Sequence, residues 1–170
     1  MPHSLILGMT DSGKTTLAKQ MAALSHRKNR GVIVLDPLHD EWECDFKTAD
    51  QEEFLQAFWA SKCCDVFIDE AGDAIGQYEK AMIQTATKGR HWGHNVHFVT
   101  QRGAQLSPTV RTQCRNLFLF NMALADCELL AREWNKPMLR EASLLPQGQC
   151  YMASRFGEVK RINVFINKEE

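Results

Sequence analysis

The sequence is short of several things, and each shortage removes a class of function. Charge of either sign is not in excess: 20 Lys and Arg stand against 21 Asp and Glu in 170 residues. That balance argues against a uniformly basic nucleic-acid coat and against a like-charged disordered tail. No apolar run approaches the ~18 residues a membrane helix needs. The N-terminal MPHSLILG has no basic n-region and no small-residue cleavage site, so a soluble intracellular protein is expected. The six cysteines (Cys44, Cys63, Cys64, Cys114, Cys127 and Cys150) contain no C-x-x-C pair, and adjacent Cys63 and Cys64 suit joint metal ligation poorly. Reduced, mostly buried thiols are expected. His91, His94 and His97 have H-x-x-H-x-x-H spacing, but no carboxylate or Cys follows at ligand spacing, so a metal is not expected there. No internal repeat, linker or low-complexity stretch interrupts the chain, and one domain over residues 1–170 is expected.

The charge that is present is unevenly spread. Residues 1–35 carry a net +4, residues 36–79 a net −11 with thirteen acids, and residues 126–170 balance at seven against seven. Residues 80–125 contain Lys80, Lys88, Arg90, Arg102, Arg111 and Arg115 with no acid at all. Such a block can present an anion-binding face, or pair with the acidic block within the fold or across subunits.

Five short apolar runs read as buried strands: Ser4–Gly8, Gly31–Asp36, Asp65–Asp69, Asn95–Thr100 and Leu117–Phe120. Helical patterns fall between them, at Gly13–Ser25 with Leu17, Met21 and Leu24 on one face, and at Ala49–Ser61 with Asp50 as N-cap. Further helices are expected at about Tyr78–Lys88, from Pro108 to about Arg115, and at Ala125–Asn135. The acidic segment up to Asp50 reads as a loop. Gln149–Arg155 and Glu158–Ile166 flank Phe156-Gly157 as a hairpin. The alternation predicts an α/β domain with a mainly parallel sheet, helices on both faces and a C-terminal β-hairpin.

Three motifs carry chemistry. Gly8-Met9-Thr10-Asp11-Ser12-Gly13-Lys14-Thr15 satisfies G-x-x-x-x-G-K-[ST] between a strand and a helix, where backbone N–H groups can wrap phosphates and the helix dipole favours anions. Lys14 is expected to reach the β- and γ-phosphates of ATP, and the Thr15 hydroxyl to ligate Mg²⁺. The strand Val66-Phe67-Ile68 ends in Asp69-Glu70, whose side chains point differently. Asp69 suits a hold on Mg²⁺ through water, and Glu70 suits polarising the attacking water. Strand 31–36 falls between these two motifs in sequence, a pattern that suits the P-loop branch with an extra strand and a catalytic Glu. The next strand ends in Thr100-Gln101-Arg102, placing Gln101 to sense the γ-phosphate or help place the water.

With GMTDSGKTT (through Thr16), DVFIDEAG, GRHWGHNVHFVTQR, SPTVRTQCRNLFLF and LLPQGQCYMASRFGEV, the chain resembles the FtsK–HerA superfamily of P-loop motor ATPases, particularly the short viral genome-packaging ATPases of the tectivirus type. The resemblance spans about residues 4–166, and the Thr-Gln-Arg strand end, the Arg90-His91 lead-in and the Leu-Pro-x-Gly turn narrow it. It implies a RecA-like core that assembles into a homo-oligomeric ring and moves double-stranded DNA at the expense of ATP. It also implies a trans-acting arginine, for which Arg90 is the first choice, with Arg111 and Arg115 behind it. Asp11 departs from the family, which often has Gly there. Asp tolerates left-handed backbone, but its charge opposes nucleotide.

These residues lead to a viral DNA-packaging ATPase, in the host cytoplasm or virion-associated, with no membrane segment of its own. Because Gly8 opens the loop, a bare motor that borrows a capsid vertex or portal protein for docking is expected. DNA contact is expected around Arg102–Arg115, with Lys28 and Arg30 as further candidates. Two alternatives stay open: a small-molecule or nucleotide kinase, although no Arg-rich lid is evident, and a nucleotide-switched phage assembly or secretion protein. A cellular motor also remains in play.

Overall fold

The computed structural model describes residues 3–71 and 79–165. Eight strands form one sheet in the order β3-β2-β4-β5-β1-β6-β7-β8. They are β1 (Ser4–Leu7), β2 (Val32–Leu35), β3 (Phe46–Thr48), β4 (Asp65–Ile68), β5 (Asn95–Thr100), β6 (Asn116–Phe120), β7 (Gln149–Ser154) and β8 (Val159–Asn163). The first six run parallel, and β7 and β8 add an antiparallel hairpin at one edge. The five apolar runs are the five central parallel strands, as their largely apolar sequences predict. The strand that separates β1 from β4 in space is β5, not the segment that separates them in sequence.

Side-chain alternation sorts the core into two layers. Leu5, Leu7, Ile33, Leu35, Val66, Ile68, Leu117 and Leu119 face one side. Ile6, Val32, Val34, Phe67, Phe118 and Phe120 face the other. The first side is covered by α2 (Gln51–Ala60), α3 (Glu79–Lys88), α4 (Pro108–Gln113) and α5 (Leu124–Trp134), through Phe54, Phe58, Met82, Val110, Leu130 and Trp134. Among the described helices, α1 (Lys14–Arg27) alone packs its core residues on the second side. Helices therefore lie on both faces. The chain leaves β1 toward one face and β4, β5 and β6 toward the other, so the sheet has a switch point at the end of β1, where α/β sheets bind ligands.

Local chemistry explains the element ends. Asp50 caps α2 by accepting the Glu53 N–H at 2.8 Å. Ser107 accepts from Val110 N–H, and Pro108 occupies the first turn of α4. Two expectations need correction. The acidic stretch before Asp50 is not all loop: Phe46–Thr48 pairs with β2 as an edge strand, tied by the Asp45 carboxylate to Val32 N–H at 2.7 Å. In α1 the buried stripe is Lys14, Leu17, Ala18 and Ala22, while Leu24 is exposed. Small alanines let the helix lie close to the sheet and turn Leu24 outward. Tyr78 and Ile166, expected at element ends, lie outside the described residues.

Candidate nucleotide site

All three motifs arrive at the carboxyl ends of the parallel strands. The phosphate loop follows β1, Asp69-Glu70 follows β4 and Gln101 follows β5. Thr10, Asp11, Gly13, Lys14, Thr15, Thr16, Glu70 and Gln101 line one pocket of about 350 Å³. Met9 and Ser12 line an adjoining cleft with Asn121 and Gln147.

The loop has the shape its residues predict. Gly8 packs so tightly that a Cβ there would lie 2.5 Å from Ser12 Oγ and 2.6 Å from Phe120 Cβ. It therefore shapes the loop from beneath rather than lining the pocket. Gly13 sits at φ +112°, where an L side chain is strained, and precedes α1 with no side-chain cap. The first N–H groups of α1 thus remain available to an anion, and no acidic residue stands in its first turn. Asp11 adopts φ 60°, the left-handed geometry it tolerates better than most residues. The departure from Gly is accommodated by the backbone. Met9 N–H donates to Asn121 C=O at 2.9 Å, anchoring the loop to the end of β6.

Two observations test whether these residues fit a nucleotide. Lys14 is buried yet within 4 Å of no carboxylate among the described residues, an arrangement that favours an incoming anion. Ser12 Oγ is buried without a partner. A phosphate would answer the Lys14 charge, whereas Ser12 Oγ faces Gly8 beneath the loop. Oxygen donors for a hard cation are also at hand in the Thr15 hydroxyl and the Asp69 and Glu70 carboxylates.

The two acids lie in the turn just after β4, beyond the reach of strand alternation, and differ in burial. Asp69 is buried and lines not the main pocket but a smaller cavity with Pro37, Gln51 and Glu70. Burial, together with the neighbouring Glu70 and Asp36 charges, pushes its carboxyl up to about 6, against the pull of the Glu70 N–H and of Lys14. Glu70 lines both the main pocket and the smaller cavity beside Asp69, in left-handed backbone at φ 51°, an uncommon state for a non-glycine residue. Asp36, at the end of β2, accepts Leu38 N–H, Asp40 N–H and the Trp42 indole N–H at 2.8, 2.7 and 3.0 Å. That network folds the 37–42 loop and brings Leu38 to the pocket.

Sequence reasoning missed Leu38, Gln147 and Phe165, all of which line the pocket. The Leu-Pro-x-Gly turn was a signal for the second. Gly148 N–H donates to Ser12 C=O at 2.9 Å and Gln147 Nε2 to Asp11 C=O at 2.8 Å, so this turn braces the phosphate loop.

The basic block divides sharply. Arg111 is only 7 % exposed. It grips Glu133 through two bonds of 3.0 and 2.6 Å, and donates to the carbonyls of Gly103 and Leu106. It has no free face for a neighbouring subunit or for DNA, which removes it from both candidacies. Arg90 lies on a 3₁₀ turn (Gly89–Trp92) before β5, at the opposite end of the sheet from the pocket, exposed and donating to Gln113 C=O. The fold does not bring it to the Lys14–Glu70–Gln101 pocket of its own chain. Arg115 is exposed over the Phe156 ring. Arg102 is largely exposed beside Asp126 at 3.4 Å. Arg30 is committed to Asp65 at 2.7 Å and to the carbonyls of Cys64 and Gly93, so its DNA candidacy weakens.

The three histidines do not converge on a metal. His91 is exposed, His94 accepts Cys64 N–H through Nδ1 and bonds Phe58 C=O through Nε2, and His97 stacks on Phe67. No cluster of three metal-ligating side chains occurs among the described residues.

A switch-point pocket built on a phosphate loop defines a RecA-like P-loop NTPase core. Neither a protein-family model nor a curated protein sequence matches the chain. Solved structures match its fold. The genome packaging NTPase B204 of Sulfolobus turreted icosahedral virus 2, in complex with AMPPCP, superposes with TM-score 0.75 at 17 % identity over 94 % of this chain and 95 % of that one. VirB4 of Thermoanaerobacter pseudethanolicus gives TM-score 0.75 at 9 % identity, over 98 % and 90 %. The pCW3 conjugation coupling protein TcpA, with ATPγS, gives 0.70 at 13 % identity, over 95 % and 59 %. At these identities the likeness is one of fold, and it bears out the RecA-like core that the motifs imply.

Proposed function

We propose that this protein is an ATP-hydrolysing translocase of double-stranded DNA, and that it packages a viral genome. The observation that carries the reading is the single pocket in which the phosphate loop, Glu70 and Gln101 meet. The phosphate-loop N–H groups and Lys14 bind the triphosphate. Glu70 orients a water in line with the γ-phosphate, and Gln101 fixes its position against that group. Thr15 directly, and Asp69 through water, would hold Mg²⁺, which neutralises charge on the β- and γ-oxygens. Likeness to a viral packaging NTPase over 94 % of this chain and 95 % of that one supports the packaging role. The likeness to B204 of Sulfolobus turreted icosahedral virus, a DNA-packaging ATPase, supports action on DNA.

Arg90, exposed at the far end of the sheet, suits a finger delivered to the next subunit of a homo-oligomeric ring, with Arg115 second. Arg102 and Arg115 remain the DNA-contact candidates of their segment. A capsid vertex or portal protein is the docking partner, in the host cytoplasm or on the virion. No helix among the described residues is long and apolar enough to cross a membrane.

The test is the ATPase rate with and without double-stranded DNA, beside the Glu70→Gln variant. Wild type should be stimulated by DNA, with binding that falls steeply as salt rises. Glu70→Gln should bind ATP but lose turnover by about 10²–10³. A flat response to DNA would favour the nucleotide-switched assembly or secretion reading. Transfer of phosphate to a small acceptor without DNA would favour a kinase. Wild-type turnover in Glu70→Gln would remove Glu70 from its role.

A further inference from the structure

The phosphate-loop motif selects a triphosphate and leaves the base unread. A bound triphosphate has two ends, and the fold says which way each points. Glu70 and Gln101 stand at the tips of β4 and β5, on one side of the loop strand β1. The reacting γ-phosphate must point to that side, so the nucleoside leaves toward the other, over β6, β7 and β8. Two of the pocket's lining residues stand on that flank, Gln147 just before β7 and Phe165 just after β8.

Both are held in place by the phosphate loop's own bracing. The Phe165 ring lies against the Gly148 backbone so closely that a Cβ at Gly148 would come within 2.1 Å of Cδ2 and 2.5 Å of Cε2. Gly148 also sits at φ +79°, so glycine is required there twice over. Val164 N–H donates to Gly148 C=O at 2.8 Å, and Val164 C=O accepts the Gln20 side-chain N–H at 3.0 Å, which fixes the backbone beside the ring. Phe165 N–H donates to Asn163 Oδ1 at 3.0 Å. The residue is nonetheless 41 % exposed, a large apolar surface at the rim of a polar pocket. For Gln147, the bond to Asp11 C=O decides which way the amide faces, because a carbonyl oxygen only accepts. The Nε2 end is therefore bound to the loop, and Oε1 remains as an unpartnered acceptor among the described residues.

We propose that Phe165 and Gln147 form the nucleobase subsite, Phe165 stacking on the base and Gln147 Oε1 reading its exocyclic amino group. An acceptor at that point favours adenine, whose C6 substituent donates, over guanine or hypoxanthine, whose C6 oxygen accepts. The inference rests on the phosphate-loop reading above, and deepens it by naming the residues that make ATP the preferred triphosphate.

Equilibrium titration calorimetry on the full chain tests it, with Mg²⁺ complexes of ATP, ITP and inorganic tripolyphosphate as probes. Wild type should bind ATP roughly tenfold or more tightly than ITP, and both more tightly than tripolyphosphate. Phe165→Ala should weaken ATP and ITP alike by about tenfold while leaving tripolyphosphate unchanged. Gln147→Leu should bring ATP to the affinity of ITP, with tripolyphosphate reporting any disturbance of the loop. If tripolyphosphate binds but ATP gains nothing over it, or if Gln147→Leu keeps the full preference for ATP over ITP, the subsite is overturned. If tripolyphosphate does not bind wild type at all, the phosphate-loop reading itself fails.

Discussion

Strand β4 carries an aspartate at each end, both buried, and the two behave in opposite ways. Asp65 is 2 % exposed and Asp69 3 %. Burial pushes both carboxyls up. At Asp65 the push is outweighed by hydrogen bonds from Ser25, Asn95 and Arg30, which hold it below its ordinary value. At Asp69 relief comes from the Glu70 N–H and Lys14, while Glu70 and Asp36 add repulsion, and it rises to about 6. The groups around each aspartate follow the same contrast. At the amino end the polar groups are spent on the fold: Arg30 on Asp65, His94 on Cys64 and Phe58, and Arg155 on the carbonyls of Cys114, Arg111 and Glu133. At the carboxyl end Lys14, Ser12 and Glu70 are buried, unpartnered or strained. Around Asp65 the chain answers the charges itself, although His3 Nε2 stays unpartnered at that end, and around Asp69 the Lys14 charge is left for a ligand to complete.

Two arginines of the acid-free block give the largest test of this division. Arg111 belongs to the finished part, so Arg111→Ala should cost about 3 kcal/mol in urea unfolding, because Glu133 loses its bidentate partner. Arg90 has one exposed contact, so Arg90→Ala should leave stability within about 0.5 kcal/mol. If Arg90 acts on the neighbouring subunit, turnover should nevertheless fall by about 10³ or more. A mixture of inactive Arg90→Ala and inactive Glu70→Gln proteins would then recover activity, since about a quarter of the interfaces in a mixed ring pair an intact Glu70 with an intact Arg90. Failure of the mixture to recover would return Arg90 to the surface.

The aspartates make the next comparison. Asp65→Asn should destabilise by about 3 kcal/mol at pH 7, since it strips the charge that Arg30 answers. Asp69→Asn should stabilise, by roughly 1–3 kcal/mol, because it removes a buried carboxylate whose ionisation opposes folding. Its turnover should drop all the same. Equal destabilisation by both substitutions would erase the distinction between the two ends.

Much of this was legible in the sequence, for physical reasons. Strands buried on both faces are predominantly apolar, so β1, β2, β4, β5 and β6 announce themselves, and Asp50 before an amphipathic run announces the start of α2. The phosphate loop is legible because its glycines are demanded by backbone geometry that few other residues adopt. β3 was hidden because a three-residue edge strand with two exposed positions has no hydrophobic alternation to show. The placing of β5 between β1 and β4 was hidden because strand order is decided by pairing across the sheet. Phe165 and Gln147 were hidden for a related reason. Each reaches the pocket through a tertiary contact, with Gly148 and with Asp11, that no local pattern encodes. Arg111 looked available because its partner Glu133 lies 22 residues away.

The smallest expected effect concerns the protons of the sheet interior. Burial, the first cause in each case, lowers both His3 and His97 to about 4, so both are neutral in the fold and protonate near 6.5 when it opens. The stability tied to their neutrality is therefore whole above pH 6.5 and is lost as pH falls toward 4. Asp69 runs the other way: the fold favours its protonated form, so its contribution is present below about 3.8 and disappears as pH rises through about 6. The two slopes partly cancel in wild type, which hides each of them. In an Asp69→Asn background the histidine slope should stand alone as a steeper loss between pH 6.5 and 4. His97→Phe, which keeps a ring stacked on Phe67, should then flatten it by roughly 2 kcal/mol across that window. Urea midpoints at five or six pH values would measure both. An unchanged slope in the double variant would mean that His97 is already neutral in the unfolded chain or charged in the folded one, and would detach the sheet interior from the contrast between its two ends.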